Sequence, residues 1–279
     1  MRTTSKLLLT AVLGTTTPLA SAQLAGSGAS GELGGGDGVY TPESIELTGV
    51  IRDFHEAHPD MQYKVSGVMK GLVEDELDAE GKPVLDEAFK AAYTGTKYPI
   101  NSAETFYQWF RDVPGVNTSW LHTITLDKLE DGSYFFAREQ PNSSFFPADY
   151  KGFAADGTGM NTTSAGTHNY FFTFEVEMDF TYTDPDTRDH ALEFTFTGDD
   201  DVWVFINGKL ACDIGGVHGQ ASDSVDLDAK RAELGLEVNE NYKLKLFFAE
   251  RHRVQSNFRI ETTLSLRKSE LPPTAGLFD

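Results

Sequence analysis

A chain of 279 residues, 39% hydrophobic and 12% aromatic, carries enough apolar material for one large domain or two small ones. Its 43 Asp and Glu outnumber 23 Lys and Arg, a formal net charge of −20 that disfavours nucleic acid or anionic lipid as partners. The same excess suits hard cations or neutral ligands, and it also suits plain solubility in a salty habitat.

Residues 1–22 read as a secretory signal, with Arg2 and Lys6 as the basic start, Leu7 to Leu13 as the apolar centre and "ASA" at 20–22 as the cleavage site. The apolar run stops short of the about 20 residues a spanning helix needs, and no other segment qualifies. An exported product without a transmembrane anchor is therefore expected, extracellular or at the cell surface. Without the signal, 21 basic residues face 43 acidic ones, a net of −22. The single cysteine, Cys212, has no internal partner and lies in the apolar run "KLACDI", where it reads as an inert buried thiol.

Residues 23–44 include "AGSGASGELGGGDG" and are expected to form a flexible leader. A first strand follows in "IELTGVIRDFH" from Ile45, then helices over 86–93 and 102–112, the latter with Ser102 as N-cap. From about Thr123 the pattern is strand. In "YFFTFEVEMDFTYT" the apolar Phe172, Phe174, Val176, Met178, Phe180 and Tyr182 alternate with polar residues, the period of a sheet with one buried face. Similar alternation runs through Leu192 to Phe196, Leu244 to Phe248 and Phe258 to Leu266, with turn chemistry in "DPDTRD", "INGK" and "EVNENY". The expected fold is mainly β, a sandwich or barrel carrying short N-terminal helices, over residues 45–268, with a disordered tail over 269–279.

"TFTGDDDVWVFINGKLACDIGGVHG" (195–219) sets Asp199, Asp200 and Asp201 in the loop between two strands. Adjacent like charges repel unless a cation, a donor or solvent offsets them, so the loop is either a cation site or a solvated turn. Ca²⁺, with its 6–8 oxygen ligands, is the simplest relief. Asp213, beside Gly215 and Gly216, is either a ligand or part of a tight turn. His218 and His252 lack zinc spacing and read as loop braces. Glu250 is either near the aspartates or ion-paired with Arg251 or Arg253. Trp109, Trp120 and Trp203 can cover the apolar face of a sugar or sit in the core, burial being favoured for Trp203.

Six segments in order, "LTGVIRDFHEAHPDM", "FYQWFRDVPGVN", "SSFFPAD", "HNYFFTFEVEMDFTY", "LEFTFTGDDDVWVFINGKLACDIGGVH" and "FFAERHRVQSNFRIETTL", resemble the fibro-slime domain, a relative of the PA14-type β-sandwich. The resemblance spans about Ile45 to Arg267. It implies surface or matrix adhesion. In PA14-like lectins two neighbouring aspartates joined by a cis peptide bind Ca²⁺, which holds sugar hydroxyls, and a second loop adds an amide oxygen. Aligning "INGK" with the PA14 "DD…IDGK" pattern puts Asp199 and Asp200 on that pair and Asp201 after it, while Asn257 is taken as the amide.

The resemblance thus implies a calcium-dependent module for a polysaccharide or cell-surface glycan. A matrix protein in which calcium only rigidifies loops is the alternative. A glycan hydrolase fits less well, because its two carboxylates stand about 5–9.5 Å apart across the bond, and no GxSxG, P-loop or GxGxxG motif is present. Asn117, Asn142 and Asn161 open Asn-x-Ser/Thr sequons, which matter only in a cell that glycosylates.

Overall fold

Strands β1 (Ser44–Phe54) and β2 (Asn117–Lys128) form the longest antiparallel pair, in register from Ser44↔Asp127 to Phe54↔Asn117. The computed structural model describes residues 42–136 and 144–269. The signal over 1–22, the leader up to residue 41, the tail from 270 and Asn142 lie outside the described residues. Between β1 and β2 come α1 (Glu87–Ala92) and α2 (Ala103–Tyr107). After β2 follow β3 (Tyr134–Phe136), the hairpin β4 (Asn161–Thr163) and β5 (Gly166–His168), β6 (Phe172–Thr181), β7 (Glu193–Asp199) and β8 (Asp201–Ile206). The chain continues through β9 (Lys209–Ile214), β10 (Ala221–Asp226), α3 (Arg231–Leu234), β11 (Asn241–Glu250), β12 (Asn257–Thr262) and β13 (Arg267–Lys268).

Apart from the β4–β5 hairpin, all strands join one antiparallel sheet in the order β10-β7-β12-β3-β2-β1-β6-β11-β8-β9, with β13 added to β6. Its two ends meet. The Asp213 backbone N–H on β9 donates to the Asp223 carboxylate on β10 at 3.0 Å, and Lys70 pairs with the same carboxylate at 2.9 Å. The result is a nearly closed barrel, which removes the exposed edges an open sheet would leave. At the β8–β9 turn, Asn207 and Gly208 take φ of 52° and 77°, the left-handed pair of a two-residue hairpin turn.

The barrel interior holds the alternating residues of β6, where Phe172, Phe174, Val176, Met178 and Phe180 are fully buried, together with Phe194, Phe196, Leu246, Phe248, Phe258 and Ile260. Each such side chain stabilises the fold by about 1.5–3 kcal/mol relative to leaving it in water. One-sided burial fails in the first half of β6: Thr173 and Glu175 are buried too. The cause is a second layer. Leu72, Phe106, Trp109 and Phe110 pack outside the barrel on Trp203, Phe205, Phe247 and Ala249, so these strands are covered on both faces. Glu175, buried under that layer, is bonded by Arg52 at 2.9 Å and by Lys82. Beyond it, Glu177, Asp179 and Thr181 regain the half-buried state that the alternation predicts.

Helix α1 matches the expected 86–93 to within a residue at each end, with the Asp86 carboxylate accepting from Phe89 N–H at 2.7 Å. Helix α2 opens at Ser102 in a capping box with Thr105 but ends at Tyr107, five residues before the expected 112. Past Tyr107 the backbone carbonyls turn to side chains of the strands. Trp109 O accepts from the Thr173 hydroxyl at 2.6 Å, and Gln108 O and Arg111 O accept from the Asn117 amide at 3.1 and 2.9 Å. Helix α3, within a stretch expected to be strand, closes on Gly235 at φ 67°. Among the described residues no helix is long and apolar enough to cross a membrane.

Candidate functional site

At one end of the barrel β7 turns into β8 through Asp199, Asp200 and Asp201, and the Asp199–Asp200 peptide bond is cis. All three side chains are buried, at 3%, 3% and 0% exposure, so the solvated-turn reading fails. Their partners divide them into two kinds.

Asp201 is neutralised. Its Oδ2 accepts from Arg251 Nε at 2.6 Å, with both side chains fully buried, and its Oδ1 accepts from Gly216 N–H at 2.6 Å. Arg251 also donates to the carbonyls of Asp60 and Pro99 at 3.0 and 2.9 Å, and its guanidinium lies 4.5 Å from the Trp109 ring centre. Trp109 in turn donates from Nε1 to Asp60 at 3.0 Å. Asp201 thus locks the outer layer to the barrel. It is not a candidate ligand.

Asp199 and Asp200 receive hydrogen bonds and no cation. Asn257, paired with Asp199 across β12 and β7, donates to it from its backbone at 2.5 Å and from Nδ2 at 2.8 Å. Asp200 accepts from the backbones of His218 and Arg251, each at 3.1 Å. One bond per oxygen leaves each carboxylate oxygen further acceptor capacity. Beside the pair Glu250 is fully buried. Its Oε1 accepts from His252 N–H at 3.1 Å, while its Oε2 has no partner. Burial is the chief cause that pushes the carboxyls of Asp199, Asp200 and Glu250 upward, Asp200 and Glu250 well above the usual range; for Asp200 the Arg251 charge opposes it while Asp201 and Asp199 add to it, and for Glu250 the charges of Asp200 and Asp199 add to it. Among the described residues, Arg251 is the one basic side chain in ion-pair contact with any of these four acids.

The pair lines a cavity of about 120 Å³ whose wall includes Val65, Val217, His218, His252 and Val254. The segment after Gln62 straps across this end: Ser66 and Gly67 donate to Val217 O, and Met69 donates to Gly215 O at 2.7 Å. Gly216 permits the approach, since at φ 101° a Cβ there would lie 2.6 Å from Gly67 O.

Of the remaining candidates, His218 and His252 line this cavity and the others do not. The His218 ring nitrogens lie 2.6 Å from Gly219 O and 3.2 Å from Ile214 O, so the imidazole braces its loop while its edge lines the cavity. His252 also lines it, with its pKa lowered by burial and then by Arg253 and Arg251. Asp213 braces: its carboxylate accepts from Trp203 Nε1 at 3.1 Å and Gly71 N–H at 2.7 Å. Glu250 makes no ion pair with Arg251 or Arg253, because Arg251 is committed to Asp201 and Arg253 reaches Glu56 and Gln62. Trp120 sits within β2 opposite Ile51, not in a loop, and Lys151 lies over its ring, so it is away from the cavity lining. Trp109 and Trp203 are core residues. The Asn117 sequon amide is spent on the carbonyls of Gln108 and Arg111, and the Asn161 amide oxygen accepts from Arg253 at 3.0 Å.

Among the described residues no group of three or more His, Cys, Asp and Glu side chains is arranged to hold a metal. A cation here would rest on the two carboxylates together with neutral oxygens, a donor set that suits a hard ion and not zinc. Asn257 turns its amide nitrogen to Asp199, which leaves its Oδ1 as the amide's acceptor. The charge fits as well: the two buried carboxylates lie side by side, and the cationic side chain that acts on Asp200, Arg251, is ion-paired to Asp201.

A family model described as PA14 domain matches residues 145–273. Among curated proteins the chain is similar to three Dictyostelium discoideum proteins. It is 36% identical to psiD over 227 residues, 34% to psiC over 234 and 38% to psiQ over 205, which covers 80%, 82% and 72% of this chain. The same matches span 42%, 42% and 19% of those relatives, so this chain corresponds to less than half of each. The solved PA14 sugar-binding domain from an RTX adhesin superposes with a TM-score of 0.27 at 11% identity, over 78% of this chain and 90% of that one. The PA14 domain match thus runs from before β4 to past β13 and takes in the aspartate loop, and over that stretch the chain is similar to the PA14 domain family.

Proposed function

We propose that this chain is an exported carbohydrate-binding or adhesion module that holds a terminal sugar through a Ca²⁺ at Asp199 and Asp200. PA14 domains are carbohydrate-binding and adhesion modules. The observation that carries the finer reading is the pairing pattern: Asp201 has its arginine, whereas Asp199 and Asp200, equally buried, face a cavity with no cation. A bound Ca²⁺ supplies the missing positive charge and coordination positions for neighbouring sugar hydroxyls. Asn257, His218 and Arg251 hold the two carboxylates in place through the donors already described. A glycosidase reading finds less support, since the two acids are neighbours in one loop and do not flank a cleft.

The partner class is a polysaccharide or cell-surface glycan. The acidic balance argues against nucleic acid. The test is a glycan array probed with and without chelator, alongside a turnover assay on any glycan bound. Calcium-dependent, saturable binding without turnover supports the module. Turnover would make it an enzyme, and the absence of both would leave a matrix protein.

A further inference from the structure

Aliphatic side chains from three separate segments converge on the mouth of the aspartate cavity. Val65 comes from the strap, Val217 from the loop after β9 and Val254 from the turn after β11. Val65 and Val254 are 48% and 53% exposed, whereas Val217, bridged to Val65 backbone to backbone, is 1% exposed beneath them. Few large hydrophobic residues are this exposed among the described residues, and two of them meet at this one opening. Isolated exposed apolar side chains are ordinary, but a cluster rimming a polar cavity marks a binding surface.

The kind of apolar surface matters. Among the described residues no Trp, Tyr or Phe lines the cavity, so none of them offers a flat ring to stack on the C–H face of a pyranose. Branched aliphatic groups instead complement a methyl. At about 120 Å³ the cavity is smaller than the roughly 300–1,000 Å³ that encloses a whole small ligand, so it admits one edge of one sugar ring and favours a chain end.

Resting on the calcium-lectin reading above, we infer that the preferred ligand is a terminal 6-deoxyhexose, its hydroxyls toward Asp199 and Asp200 and its C6 methyl against Val65, Val217 and Val254. A methyl moved from water onto apolar side chains favours binding about fourfold, and replacing it by a hydroxyl that meets only valines adds a desolvation cost.

The test uses sugar pairs that differ only at C6, L-fucose against L-galactose and L-rhamnose against L-mannose, titrated into the full chain with calcium present. The 6-deoxy member of at least one pair is expected to bind about fourfold more tightly or better. In the double variant Val65→Ser/Val254→Ser, whose altered side chains are half exposed, that ratio should fall to about one. Affinity for calcium alone, measured by calorimetry, should stay unchanged. Equal, calcium-dependent binding within each pair would overturn the methyl subsite and leave the lectin reading standing. A ratio that persists in the double variant would overturn the valine assignment. Preference for N-acetylated over 6-deoxy sugars would overturn the ligand class, and no calcium-dependent binding of any sugar would overturn both readings.

Discussion

Arg251→Met removes the guanidinium that joins barrel and outer layer while keeping most of the apolar stem over Trp109. The variant leaves Asp201, fully buried, with no cation, and leaves the carbonyls of Asp60 and Pro99 without this donor. Breaking a buried pair by deleting one partner costs about 3–5 kcal/mol, because the surviving charge stays desolvated. For a domain of this size that is a fall of roughly 6–20 °C in melting temperature. Urea titration followed by tryptophan fluorescence measures it, and Trp109 under the guanidinium makes the signal local to the change. Arg251→Met/Asp201→Asn should recover part of the loss, since no unpaired carboxylate remains. A cost below about 1 kcal/mol for Arg251→Met would refute the claim that Arg251 is committed to Asp201.

Asp53, buried against Asn169 and Phe153, has its carboxyl raised to about 6, chiefly by burial. A raised folded pKa means stability that is present at low pH and lost as pH climbs from about 4 to about 6, here about 3 kcal/mol, and Asp53→Asn should flatten that part of the pH profile of melting. Glu250 is raised in the same direction, so Glu250→Gln is expected to raise the melting temperature of chelated protein at pH 8 and to change it little at pH 4.5. Calcium at 100 times its dissociation constant should stabilise the fold by about 2.7 kcal/mol, with chelation reversing the gain in a thermal melt.

Local chemistry made much of this protein legible in its sequence. The buried apolar face of β6, the Asn207–Gly208 turn and the Ser102 cap each depend on neighbouring residues alone, and all three are found where expected. The burial of Thr173 and Glu175 was not legible, because it depends on an outer layer supplied from residues 72–110. The crowding of Asp199, Asp200 and Asp201 was visible at once. Their division into one neutralised and two unpaired carboxylates depends on Arg251, 50 residues further along the chain. In the sequence Arg251 reads as a surface charge beside Glu250, and nothing local marks it as buried. The valines of the cavity mouth come from positions 65, 217 and 254, so no window of sequence brings them together.

Calorimetric titration of calcium into the wild-type chain and into Asp200→Asn tests the central claim most directly. Asn keeps the size of the side chain but removes one formal charge from the pair, so calcium affinity should fall by about tenfold or more while the chelated variant melts no lower than wild type. Asp213→Asn, whose carboxylate is taken up by Trp203 and Gly71, serves as the control and should bind calcium as wild type does. Equal calcium affinity in wild type and Asp200→Asn would contradict the account, since Asp199 and Asp200 would then have no part in holding a cation.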